Sequence, residues 1–150
     1  MRAHALVCRG LVAAVLVIAI TPCPAPARDR TASSALSAMN AVRARHHLPA
    51  LHVNHALARA ASNHSSEMAR SGSFSHGAFA QRLRAYIHSR VIGENLALMQ
   101  RCSGRKAVRM WLHSAPHRRI MLSRAFRRVG VGHSSSGSTC FITADFASAR

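Results

Sequence analysis

The chain has 150 residues, room for one domain, with 21 Lys and Arg against 4 Asp and Glu and a formal net charge of +17. Apolar types make up 49% of it, which excludes a wholly disordered chain, and the basic residues are scattered among aliphatic ones rather than gathered in a polybasic tail. The acids are Asp29, Glu67, Glu94 and Asp145, so any carboxylate site must be built from those four.

Residues 1–27 read as a signal peptide. Arg2 and Arg9 flank and precede the apolar run Leu11–Ile20, Pro22 and Pro24 break it, and Ala25 and Ala27 offer the small residues that a signal peptidase reads. The run is shorter than the roughly 20 residues of a spanning helix. A retained anchor is the alternative. Lipid attachment at Cys23 is a further one, poorly served by Pro22 before it. Cleavage after Ala27 leaves 19 basic residues against the same 4 acids, a charge of +15, and the protein is then expected to be secreted or periplasmic.

Two cysteines, Cys102 and Cys140, remain after cleavage. In an oxidising compartment they read as one disulfide, with two free buried thiols as the alternative. Two cysteines alone do not make a structural zinc site. The Arg excess implies attraction to anionic lipid, lipopolysaccharide or acidic glycans, unless it is only a solvated surface. A single Trp and a single Tyr leave no platform for stacking bases, and no nucleic-acid partner is expected.

Residues 28–33 read as a short polar lead-in, followed by one domain over 34–150. A first helix is predicted over 34–45, with Leu36, Met39 and Val42 at helical spacing, ended by Leu48-Pro49. Leu48, Leu51 and Val53 then anchor an extended link. Asn54 caps a second helix whose stripe is Leu57, Ala61, His64 and Met68, and Ser71-Gly72 stops it. His64 on that stripe reads as a hydrogen-bonded core histidine. Ser73 to His76 form a loop, and a short helix over 78–87 groups Phe79, Leu83 and Ile87.

Residues 91–99 form a strand around Gly93-Glu94-Asn95. Ser103 caps a third helix through Ala107, Val108, Trp111 and Leu112, with Trp111 in the core. Pro116 interrupts it, and a turn or short helix resumes over 117–122. Residues 126–133 and 139–146 alternate as a hairpin around Ser134–Ser138, and Asp145 is expected to pair with an Arg. His46, His47, His52, His55, His88, His113 and His133 read as surface residues. Helices first, a hairpin last and one strand between make an α+β fold with a small antiparallel sheet.

Several motifs in order resemble the bacterial branch of the CAP superfamily, which includes cysteine-rich secretory, antigen-5-type and pathogenesis-related proteins. They are Phe74-Ser75-His76, then Gly93-Glu94-Asn95-Leu96-Ala97, then Trp111, Ser114, His117 and Arg118 with Met121-Leu122. Val129-Gly130-Val131-Gly132 and the closing Asp145-Phe146 complete them. Upstream, Asn40 with Arg43, Leu48–Leu51, and Ala61, His64, Ser65, Met68 and Ala69 also match. The resemblance covers about residues 35–147. It implies an α-β-α sandwich with a cleft lined by His76, Glu94 and His117. Many animal and plant members carry a second Glu where this chain has Ser114.

His76, His117 and Glu94 are of the right types to hold a zinc ion with an open position. Glu94 is equally suited to fixing a ring tautomer or to accepting backbone N–H groups. A hydrolase needs a nucleophile, for which Ser75 and Ser114 are the candidates, but no nucleophile elbow is present. The expected function is therefore a non-catalytic binder of a lipid or sterol-like ligand, another small ligand or a protein partner. A metal-dependent or Ser-dependent hydrolase of peptide or cell-envelope bonds is the second reading, and a cationic protein held on anionic envelopes the third.

Overall fold

The computed structural model describes residues 29–149; the expected signal peptide over 1–27 lies outside them. The first helix, α1 (Arg30–Arg45), begins earlier than the expected Ser34, so most of the predicted lead-in is helical. The cause is Asp29, whose carboxylate accepts from the N–H groups of Thr31 (2.9 Å) and Ala32 (3.0 Å). An Asp at this position caps the orphan donors and complements the helix dipole, whatever the apolar spacing behind it.

The link after Pro49 contains a short strand, β1 (His52–Val53). Next comes α2 (His55–Ser71), where the Asn54 side chain accepts from Leu57 N at 3.0 Å and Gly72 closes the helix at φ 70°. The following helix, α3 (Phe79–Arg84), is shorter than predicted. Strand β2 (Ile92–Gln100) precedes α4 (Gly104–His113), which is capped by Ser103. The helix is interrupted as expected, at Ser114, and a short helix α5 (Ala115–Met121) resumes two residues earlier than expected, with Pro116 in its first turn, where its missing N–H costs nothing. The hairpin strands β3 (Phe126–Ser136) and β4 (Thr139–Ser148) extend into the serine run, leaving a two-residue turn at Gly137 and Ser138.

The sheet order is β1-β3-β4-β2. β2, β4 and β3 form the expected small antiparallel sheet, and the two-residue β1 joins its edge in parallel. Alternation along β4 sorts the layers. Cys140, Ile142, Ala144 and Phe146 face the larger core with α1, α4 and α5. Phe141, Thr143 and Ala147 face α2 and α3, where Phe141 meets Met68 and Ala147 meets Leu57 and Leu83. The result is the α-β-α sandwich, with β1 and β2 at the two edges of its sheet.

Four features fix the layers. Gly130 and Gly132 let α2 lie directly on β3, because a Cβ at either position would overlap the backbone of Leu57 and Ala58 or of Ala61 and Ser62. Arg43 is fully buried, and its guanidinium donates to the carbonyls of Pro49 (2.9 Å), Met121 (2.7 Å), Ser123 (3.0 Å) and Phe126 (3.2 Å). Trp111 is a core residue whose indole N–H donates to Leu96 O at 2.8 Å, holding α4 against β2. The Cys102–Cys140 disulfide, with a Cα–Cα distance of 5.2 Å, ties the β2–α4 loop to the start of β4.

Candidate functional site

The loop after α2 carries His76, and a buried histidine pins it. His64 lies on the inner face of α2, 5% exposed, with its Nε2 2.9 Å from the Ser75 carbonyl. A carbonyl only accepts, so the Nε2–H donates, and the residue next to His76 is fixed. The Ser75 hydroxyl accepts from Gly77 N at 3.1 Å and shapes the turn.

His76 Nδ1 lies 2.8 Å from Glu94 Oε1, and the carboxylate side chain is 1% exposed while the ring is 51% exposed. The Nδ1–H therefore donates to Glu94, which leaves Nε2 as an acceptor toward solvent. Phe79 meets the ring edge-on with centroids 6.4 Å apart.

Arg82 on α3 is the residue that sequence reading missed. Its guanidinium donates to the second Glu94 oxygen and, at 3.3 Å, to the His76 carbonyl, and it lies 4.0 Å from Asp145. Two acids on buried strands demand a counter-charge, but nothing in the spacing marks out Arg82 among 21 Lys and Arg. Asp145 is the register partner of Glu94 on β4 and is fully buried. Its carboxyl pKa is pushed up to about 8, first by burial and then by the Glu94 charge, with Arg82 opposing. Neither Asp145 oxygen meets a donor among the described residues. A proton on Asp145 lets it donate to Glu94, which is the state burial favours. The expected Asp145–Arg contact is thus the outer part of a four-group cluster.

His117 comes from α5. Its Nδ1 and Ser114 Oγ share a hydrogen bond at 2.8 Å, and Asn95 Nδ2 donates to the His117 carbonyl at 3.0 Å. The His117 pKa is lowered by burial and by the His76 charge, so the two rings lie within electrostatic reach. The outer edge of β2 meets no further strand among the described residues. His133, expected on the surface, is half-buried, 3.2 Å from Asp29.

The candidate residues thus form two hydrogen-bonded pairs, His76–Glu94 and Ser114–His117, rather than one three-ligand cluster. Both Glu94 oxygens are engaged, one by His76 and one by Arg82. Among the described residues no group of three His, Cys, Asp or Glu is placed to hold a metal. A three-ligand zinc centre is therefore not assembled by these donors; the nitrogens left without a hydrogen bond among the described residues are Nε2 of His76 and of His117. A Ser-His-acid relay does not fit either, since the acid lies behind His76 and the serine pair is with His117.

A search of curated proteins gives no match. Among solved structures, the chain is similar to an extracellular protein containing an SCP domain from Bacillus anthracis str. Ames, with a TM-score of 0.70 and 29% identity over 79% of this chain. It spans 40% of that protein's length. An outer surface protein from Borrelia burgdorferi aligns with a TM-score of 0.68 and 18% identity over 77% of this chain and 90% of its own. A cysteine-rich secretory protein from Staphylococcus aureus aligns with a TM-score of 0.67 and 20% identity over 83% of this chain and 41% of its own. Residues 36–146 match the model of the cysteine-rich secretory protein family, and with the sandwich fold and the ordered motifs around His76, Glu94 and His117 this places the chain in that family, the CAP family.

Proposed function

We propose that this CAP-domain protein is exported and acts as a non-catalytic binder, taking a lipid or sterol-like molecule, another small ligand or a protein partner at the His76–His117 cleft. The observation that carries this reading is the engagement of Glu94. Its two oxygens hold His76 and Arg82 and its side chain is 1% exposed, so the acid orders the cleft wall and is screened from a substrate that would need it as a general base. His76 then presents Nε2 on a half-exposed ring beside Phe79, a polar acceptor next to an apolar edge, which suits recognition.

Export is supported by the apolar run Leu11–Ile20 behind two arginines, by the disulfide, and by the extracellular and outer-surface descriptions of the B. anthracis and B. burgdorferi proteins. No described helix is long and apolar enough to cross a membrane.

The Ser114–His117 pair favours a second reading, a hydrolase acting on peptide or cell-envelope bonds, with or without zinc on the two Nε2 atoms. One experiment separates the two. The mature chain is screened against peptide, ester and glycan substrates with and without Zn²⁺, beside its Ser114→Ala and His117→Ala variants. The binder reading expects no turnover in any of them. Turnover that vanishes in either variant while the fold persists overturns it in favour of the hydrolase. Retention on anionic surfaces by the mature chain of charge +15, the third reading, expects vesicle binding that high salt abolishes.

A further inference from the structure

A cavity of about 640 Å³ opens where the start of α2, the α3–β2 connection and the end of β4 come together. None of the cleft residues lines it. Its charged lining is of one sign: Arg84, Arg90 and Arg128, joined by His88, with no Asp or Glu.

Arg128 is the fixed element. It stands on β3, and its Nε donates to the Ser148 carbonyl at 2.9 Å, which sets the plane of the guanidinium. Its Nη2 is buried yet has no acceptor among the described residues. A buried guanidinium N–H without an acceptor is an unmet demand for an anion. Ala56, in the first turn of the 17-residue α2, also lines the cavity, and that end of the helix carries the positive pole of its dipole. Arg84 and Arg90 are exposed and free to close on a ligand. Tyr86 and Ile87 supply an apolar wall, and the Tyr86 hydroxyl is steadied by Asn63 at 2.7 Å. Arg82 and Arg84, two residues apart on α3, thus serve different places: Arg82 the cleft, Arg84 this cavity.

We propose that this cavity binds a phosphate monoester. Three guanidinium groups around one recess match a dianion better than a singly charged carboxylate, and the planar Arg128 fork, anchored at Nε, presents its donors to phosphate oxygens. The group arrives either on a soluble molecule or as the headgroup of a lipid such as phosphatidic acid. This site stands independently of the role assigned to the cleft.

The test uses the oxidised mature chain. Glycerol 3-phosphate is titrated by calorimetry, and in parallel the protein is mixed with phosphatidylcholine vesicles with and without phosphatidic acid. Variants are Arg90→Ala and Arg128→Ala in the cavity, with Arg105→Ala, an exposed residue of α4, as a control. Arg90→Ala is exposed and keeps the test decisive should Arg128→Ala misfold. Saturable binding that weakens about tenfold in the cavity variants and is unchanged in Arg105→Ala is the expected result, a charge-assisted hydrogen bond being of that size. Seen with glycerol 3-phosphate, it assigns a soluble ligand; seen with phosphatidic acid vesicles alone, a lipid headgroup. No saturable binding to either, or equal weakening in Arg105→Ala, overturns the proposal.

Discussion

Glu94 on β2 and Asp145 on β4 stand directly opposite each other in the antiparallel ladder, both buried, with Arg82 reaching over them from α3. Two like charges at adjacent sites in a low dielectric repel strongly, so the pair with its arginine is most stable when Asp145 holds a proton. The pH dependence follows. The Asp145 pKa is raised from 3.8 to about 8, so the folded chain keeps a proton that the unfolded chain releases above about pH 4. Its contribution to stability is full below about pH 4 and is lost as pH rises through about 8. His117 has the opposite sign: its lowered pKa makes the folded state weaker as pH falls below 6.5. Between pH 6.5 and 8 the Asp145 effect therefore stands alone of the two. Thermal melts across that range are expected to show falling Tm for the native chain and a flatter profile for Asp145→Asn. Parallel profiles would contradict the shared-proton account.

Arg82→Met removes the cation from a cluster of two buried acids. The expected cost is roughly 3–5 kcal/mol, because Glu94 is left charged and buried with His76 as its remaining partner. Adding Glu94→Gln to that variant should recover part of the loss, since the uncompensated charge goes with it. Urea denaturation of the single and double variants checks this; a double variant less stable than Arg82→Met would mean that Arg82 acts by packing alone.

Arg43→Met is expected to cost about 3 kcal/mol or more, because four carbonyls from two loops, α5 and the start of β3 lose their buried donor at once. Chemical denaturation gives the number. A loss below about 1 kcal/mol would show that water replaces the guanidinium there.

Much of this architecture was legible from spacing and punctuation. Asn54 and Gly72 bracket α2 as read, and Ser103 starts α4. Where the reading failed, a side chain or a partner strand outweighed periodicity. Asp29 begins α1 early by capping it, and β1 exists because Val129 and Arg128 offer it an edge, a contact no local window reveals. Of the site, the motifs carried His76, Glu94, Ser114 and His117, but not who touches whom. Residue alternation along β2 decides this: Glu94 points to the α2 face, where it meets His76 and Arg82, while its neighbour Asn95, on the other face, holds the His117 carbonyl. Arg82 was hidden among many arginines, because its meaning comes from tertiary approach to two acids 51 residues apart in sequence.

Removing the Cys102–Cys140 bond, by reduction or as Cys102→Ser with Cys140→Ser, is expected to cost roughly 4 kcal/mol on the chain-entropy model for a separation of 38 residues. Denaturant midpoints with and without reductant measure it. An unchanged midpoint would mean that the core alone holds the β2–α4 loop on β4.

The binder reading meets its most direct test in native mass spectrometry of the protein recovered from its own culture medium or periplasm, with metal analysis of the same sample. The account predicts a non-covalent molecule retained by the native chain and lost from His76→Ala, while the fold survives. A bare chain carrying one tightly held zinc, whose loss follows Glu94→Ala, would contradict the assignment of that carboxylate to His76 and Arg82.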